Sequence, residues 1–353
     1  VFKMMSAVKQ TNIDFVRWWK LALAASFIII VGTWILMIQH YRKDDSRVLG
    51  VDFTGGTSVT VSFTPDKKPD VEAIRNALGT AGIQDAFIQY QKSESEGSPE
   101  QLQIKVASKG GNVASVPPAK TSEAAVLPDT NAVAVAGLAS SSLQTIEQDN
   151  VVMQVLARQF SDAGFKLLQQ DYVGPQVSMD LARNAQAAMI LSLVAMIIYI
   201  SLRFKFGFAL GAVAALFHDV LITAGLVHLL GFQINMTVLA ALMTIVGYSV
   251  NDTIVIFDRI REDLRLYRNK SFVEICNQAI NETLSRTLLT NFLTSVSVIF
   301  LLVLAGQSLR DFSVAMFIGM IAGTYSTMYI ATPVVLMWYR NRRPDLGKIA
   351  KIG

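Results

Sequence analysis

The chain has 353 residues, of which 52% are hydrophobic and only 16% charged, and its formal net charge is +4. A soluble chain of this length is ordinarily two or three domains. Here the apolar residues are clumped into six stretches of at least 18 residues with few or no charges, each long enough to cross a hydrocarbon core of roughly 30 Å as a helix. That clumping excludes an ordinary globular enzyme.

Residues 1–19 read as a cytoplasmic amino end and 20–39 as the first span. Its apolar run, Leu21 to Ile38, ends in QHYRKDD without a small-residue cleavage site, so it is expected to stay as an anchor. A Val at position 1 suggests a piece of something longer. Residues 40–182 cannot lie in a membrane and are expected to form one α+β domain. VTVSF alternates like a half-buried strand, and PDVEAIRNALGTAG sets Val71, Ile74 and Leu78 on one helical face. AFIQYQ and LQIKVAS read as further strands, VVMQVLARQF as a helix, and the stretch up to YVGPQVS as extended. Strand–helix–strand–strand–helix–strand is the ferredoxin-like split βαβ order. An insertion at 108–142, rich in Ala, Ser, Pro and Gly, interrupts it. Gly55 and Gly56, before the first strand, predict a tight turn or a close backbone approach.

Five more spans follow at 183–204, 207–230, 235–257, 283–306 and 312–338. Residues 258–282 are expected to form an amphipathic helix at the cytoplasmic surface, and 339–353 a cytoplasmic tail. Gly207 with Gly211, and Gly319 with Gly323, have the four-residue spacing that lets membrane helices approach closely. Lys3, Lys9, Arg17 and Lys20, the pair Arg203 and Lys205, the run Arg259 to Lys270, and Arg340, Arg342, Arg343 and Lys348 belong on one side. By the positive-inside rule that side is the cytoplasm, which places both termini inside and the 40–182 domain outside. Arg42, Lys43 and Arg47 oppose this, accompanied by Asp44 and Asp45.

Ionisable groups within the spans are the informative ones, because each costs about 2.5–3.5 kcal/mol at a helix centre on insertion scales. Asp252 lies in IVGYSVNDTIVIFDR, with Tyr248 one turn earlier and Asn251 beside it. Arg286 opens the fifth span, where Thr283, Arg286, Thr290, Thr294 and Ser297 form a polar stripe expected to face the bundle interior or a water-filled path. Asp219, next to His218, falls in the middle of the third span. An Asp that faces an Arg in low dielectric can exchange a proton as the helices rearrange; a static ion pair, or an Arg reaching to the membrane surface, is the plainer alternative. The three histidines, His40, His218 and His228, make no metal cluster. The lone Cys276 excludes an internal disulfide, and no Ser, Cys or His grouping suggests a hydrolase. No cofactor is expected beyond the proton, and no nucleic acid.

VDFTGGT (51–57), VGPQVS (173–178), ALFHDVLIT (215–223), and above all VGYSVNDTIVIFDRIRE (246–262) with TLSRTLLT (283–290) resemble the SecF family of protein-export membrane proteins. The resemblance implies a fold related to one half of the resistance–nodulation–division (RND) transporters, with six spans and a periplasmic domain in the plasma or inner membrane. It implies SecD, the SecYEG channel and the translocating preprotein as partners, with YajC a further one, and use of the proton-motive force to draw secreted chains outwards. In the family the Asp of the ND motif and the Arg of TLxRT lie on the proton path; those positions are Asp252 and Arg286 here, and Asp219 matches an acidic position. The insertion at 108–142 is longer than the family pattern, and the Val start leaves both a free SecF and the second half of a fused SecDF open. Half of an RND-type efflux pump and a passive scaffold are the rival functions; the single small external domain argues against the pump.

Overall fold

In the computed structural model the described residues are 12–43, 47–64, 68–83, 86–91, 100–107 and 152–344. The insertion at 108–142 lies outside them. The chain divides into two compact units, Asp44–Arg183 and the pair of segments Val1–Lys43 and Asn184–Gly353.

The smaller unit holds four strands: β1 (Gly56–Ser62), β2 (Ala86–Gln91), β3 (Gln101–Ala107) and β4 (Lys166–Val173). They pair antiparallel in the order β2-β3-β1-β4. Helix α2 (Val51–Thr54) precedes β1, α3 (Val71–Thr80) follows it, and residues 152–159 form α4. Val59 and Val61 of β1 and Leu102 and Ile104 of β3 are fully buried against Ile74 and Leu78 of α3 and Leu156 of α4. This is the split βαβ sheet that the alternation in the sequence predicts.

The extended stretch expected through YVGPQVS is shorter than that. β4 ends at Val173, and Pro175 is already the first residue of α5 (Pro175–Arg203). Its fixed φ suits a first helical turn, where a missing N–H costs nothing. Gly55 sits against this junction with φ +70° and ψ 161°. A Cβ there would lie 3.1 Å from Ser178 Oγ and 3.4 Å from Pro175 Cα. Gly56 follows with φ +128°.

The larger unit contains α1 (Trp19–Lys43), most of α5, α6 (Phe206–Leu229), α7 (Met236–Leu266), α8 (Phe272–Leu304) and α9 (Gln307–Ser326), which runs on through a π turn (Thr327–Ala331) into α10 (Thr332–Trp338). Six of its helical segments are long and apolar enough to cross a membrane. Their apolar windows are 61% buried in α6, 56% in α7 and 61% in α9–α10, against 11% in α1 and α5 and 17% in α8. So α6, α7 and α9–α10 are the interior, and α1, α5 and α8 pack around them. Close approach needs glycine: a Cβ on Gly211 would meet the Ala331 carbonyl oxygen at 2.6 Å and Val335 Cγ2 at 2.7 Å.

The π turn has a local cause. Pro333 lacks the N–H that would bond one turn back, and its ring crowds that carbonyl. The wider turn accommodates it, with the Thr332 hydroxyl donating to the Thr327 carbonyl at 3.3 Å.

The segment 258–282, expected as one surface helix, is divided instead. α7 continues to Leu266, and α8 starts at Phe272 behind a capping box in which Ser271 and Glu274 satisfy each other's backbone N–H. Ile260, Leu264, Phe272, Ile275, Cys276, Ala279 and Ile280 are all buried in one cluster. Their apolar side is covered by the neighbouring helix extension, not by lipid.

Gly55→Ala should cost about 1–3 kcal/mol, because φ +70° with ψ near 160° is essentially a glycine conformation. The thermal unfolding midpoint of the purified chain should fall. Gly79→Ala, which meets nothing within 4 Å, should leave it in place.

Candidate functional site

The polar interior of the bundle centres on the end of α9, where Thr324, Tyr325, Ser326 and Thr327 are consecutive. Successive helical residues turn by about 100°, so these four side chains point to different neighbours. Ser326 Oγ donates to Asp219 Oδ2 on α6 at 2.9 Å. The Tyr325 hydroxyl donates to the Ala22 carbonyl on α1 at 2.7 Å and receives Ser26 Oγ at 3.0 Å. Thr327 and Thr253 of α7 share a hydrogen bond of 3.3 Å. The Thr324 hydroxyl receives Asn291 Nδ2 of α8 at 2.7 Å.

Asp219 is fully buried. Besides Ser326, its Oδ2 accepts from Ser249 Oγ of α7 at 2.5 Å, and Oδ1 lies 3.0 Å from His218 Nδ1. The His218 ring stacks on Tyr325 with centroids 5.8 Å apart. Asp219 is thus held by three side chains from three helices. That satisfies the carboxyl's lone pairs, as a buried acid requires.

Asp252 is 6% exposed, and its Oδ2 accepts from Asn291 Nδ2 at 2.9 Å. The same nitrogen reaches Thr324, whose own hydroxyl donates to the Met320 carbonyl at 2.9 Å. Asn291 is itself 7% exposed, and its Oδ1 is buried without a hydrogen-bond partner.

Arg286 is not the direct partner that the sequence suggests. It is exposed, and no ion pair joins it to Asp252 among the described residues, although its charge reaches that carboxyl. Asn291 lies five residues further along α8, about 140° round the helix from Arg286, and it is the one turned inward. The stripe divides accordingly. Thr283 is buried, whereas Arg286, Thr290 and Ser297 are exposed. Thr290 bonds back to the Arg286 and Thr287 carbonyls, and Thr294 meets the Tyr248 hydroxyl at 3.1 Å. Asn251 is exposed on α7. Asn291, Thr324 and Ser326 are the residues that sequence reasoning missed; an Asn inside the apolar run of TNFLTS was the available signal. His40 and His228 pair with each other at 2.9 Å, and among the described residues no group of three potential metal ligands comes together.

Two family models match the chain: protein export membrane protein SecD/SecF, C-terminal, over residues 152–341, and the SecD/SecF GG motif over residues 48–67. The first contains the whole polar interior contributed by α6 to α9, and the second contains Gly55 and Gly56. Protein translocase subunit SecF from Koribacter versatilis is 34% identical over 99% of this chain and 97% of its own length. The SecF of Rickettsia felis is 33% identical, with 97% of each chain covered. The crystal structure of SecDF from Thermus thermophilus, described as a translocon-associated membrane protein, superposes with a TM-score of 0.68 and 28% identity over 95% of this chain. A second SecDF structure, in the super-membrane-facing form, gives 0.59 and 29% over 94%. The chain spans 39% of each SecDF chain.

Asp219→Ala would leave two hydroxyls and an imidazole without their acceptor in a dry interior. A loss of about 3 kcal/mol is expected, read as a lower unfolding midpoint in detergent. Asp219→Asn keeps one carbonyl acceptor and should lose less.

Proposed function

Because this chain belongs to the SecF family of protein-export membrane proteins, we propose that it is an auxiliary subunit of the Sec translocase that, with SecD, uses the proton-motive force to complete preprotein export. It would do so as a multi-pass protein of the plasma or inner membrane, both termini in the cytoplasm and residues 40–182 on the far side. SecYEG and the moving preprotein are the expected partners, with YajC beside them. The proton is the only coupling ion required, and no bond is made or broken in the cargo.

The observation that carries this reading is Asp252, a buried carboxyl that, among the described residues, is held by one side-chain donor, Asn291. A carboxylate in such a place is costly unless donors face it, and a neutral carboxyl is cheap. Asp219 differs: three side chains lie within hydrogen-bond distance of it. Asp252, the more lightly supported acid, would be the one to take up and release the proton. Arg286, exposed on α8 and electrostatically within reach, would hold Asp252 ionised when it approaches and release it when it withdraws. Tyr248, Asn251 and Thr290, on the same two helices, would line the way between them. The driving force is adequate, since one charge crossing 100 mV is worth about 2.3 kcal/mol. Linked helix movement would then pass to the external domain through the short Gly174–Pro175 connection between β4 and α5.

Secretion into inverted membrane vesicles, with and without a proton gradient, tests the proposal. Asp252→Asn and Arg286→Ala should each reduce the gradient-driven part of export by about tenfold or more, as expected for loss of a group that takes part in proton transfer, while the ATP-driven part persists. Equal gradient dependence in wild type and both variants would leave only a passive scaffold.

A further inference from the structure

Asn291 has a property that the proton-motor reading does not use. Both N–H groups of its amide are engaged, one by Asp252 Oδ2 at 2.9 Å and one by the Thr324 hydroxyl at 2.7 Å, while its carbonyl oxygen is buried with no partner. Which end of the amide is nitrogen follows from the neighbours. An ionised carboxylate can only accept, and Thr324 has already committed its proton to the Met320 carbonyl, so it too must accept.

Resting on that reading, we propose that Asn291 is a positioning residue that reports the protonation state of Asp252 to α9 by turning its amide over. When Asp252 is ionised, hydrogen-bond direction runs from Asn291 outward, to Asp252 on one side and through Thr324 to Met320 on the other. A proton taken up at Oδ2 forms a new O–H bond, so that oxygen gains a hydrogen to donate and becomes a weaker acceptor than the carboxylate was. The Asn291 N–H then meets that weaker acceptor, and the new O–H finds no acceptor on the amide nitrogen. Rotation of the amide by about 180° exchanges its nitrogen and oxygen. The carbonyl oxygen then accepts from the Asp252 hydroxyl and from Thr324, which must turn its proton away from Met320. Thr324 is followed in sequence by the residues that grip α1, α6 and α7.

Neither orientation satisfies the whole amide. One leaves the carbonyl unpartnered and the other turns the NH2 group into the place where the carbonyl had no partner, and the proton on Asp252 selects between them. The other titratable and charged groups around Asp252 are Tyr248 on its own helix, Arg286 on α8, the Asp219–His218 pair on α6 and Tyr325 on α9. Asp219 meets α7 and α9 through Ser249 and Ser326, the His218 ring stacks on Tyr325, and the Tyr325 hydroxyl bonds to α1.

The test uses the chain assembled with SecD. Asn291→Leu preserves volume but neither donates nor accepts; gradient-driven export should fall about tenfold, while Asn291→Gln, which keeps the amide, retains most of it. The direct readout is infrared difference spectroscopy across a pH step, with the asparagine side-chain carbonyls isotopically labelled. The band absent from Asn291→Leu should move to lower frequency as the Asp252 carboxylic acid band grows in, and should stay still in Asp252→Asn. A labelled band that does not move while the acid band appears overturns the inference, as does full gradient-driven export by Asn291→Leu. Gradient-driven export that survives Asp252→Asn sinks the motor reading and this inference with it; survival in Asn291→Leu alone sinks only the inference.

Discussion

A polar group sealed away from water must be met by another polar group, and in this bundle that demand falls on a few side chains at the end of α9. Thr324, Tyr325, Ser326 and Thr327 bond respectively to α8, α1, α6 and α7. In hydrocarbon there is no apolar driving force to hold helices together, so such bonds and close backbone packing set the arrangement. The two interior acids are placed by the same turn: Asp219 directly through Ser326, and Asp252 through the Asn291 amide that Thr324 receives.

The two acids show how environment separates residues of the same type. Asp219 has hydrogen-bond contacts with three side chains and no exposure. Asp252 has one side-chain donor, an exposed arginine at a distance, and a neighbour with an unsatisfied oxygen. The SecF family model covers all of α5 to α10, and so both acids.

Much of this was legible in the residues, for physical reasons that differ from part to part. The six crossings announce themselves by length, and the sheet unit by an alternation that only a half-buried strand produces. Asp219, Asp252 and Arg286 are conspicuous because a charge in an apolar run is costly enough to need a reason. Asn291, Thr324 and Ser326 were not, since small polar side chains are common in membrane helices and their pairing depends on how each helix is rotated. The same rotation moved Arg286 to the outer side of α8 and turned Asn291 inward. The helical extensions at 258–266 and 272–282 read as surface elements because their charges are plain in the sequence, while the burial of Ile260 and Ile275 depends on how the two extensions pack.

The π turn at Thr327–Ala331 was invisible beforehand, and it changes how the last crossing behaves. Before it, α9 is keyed to the polar cluster; after it, Val335 is wedged beside Gly211, and Tyr339, just past α10, lies against Phe208. An ordinary helix would transmit any screw motion from one half to the other, because each residue fixes the azimuth of the next. A turn carrying a surplus residue breaks that gearing. Torque arising among the hydroxyls can be absorbed there, so the α10 end of the crossing can stay seated while its other half swivels.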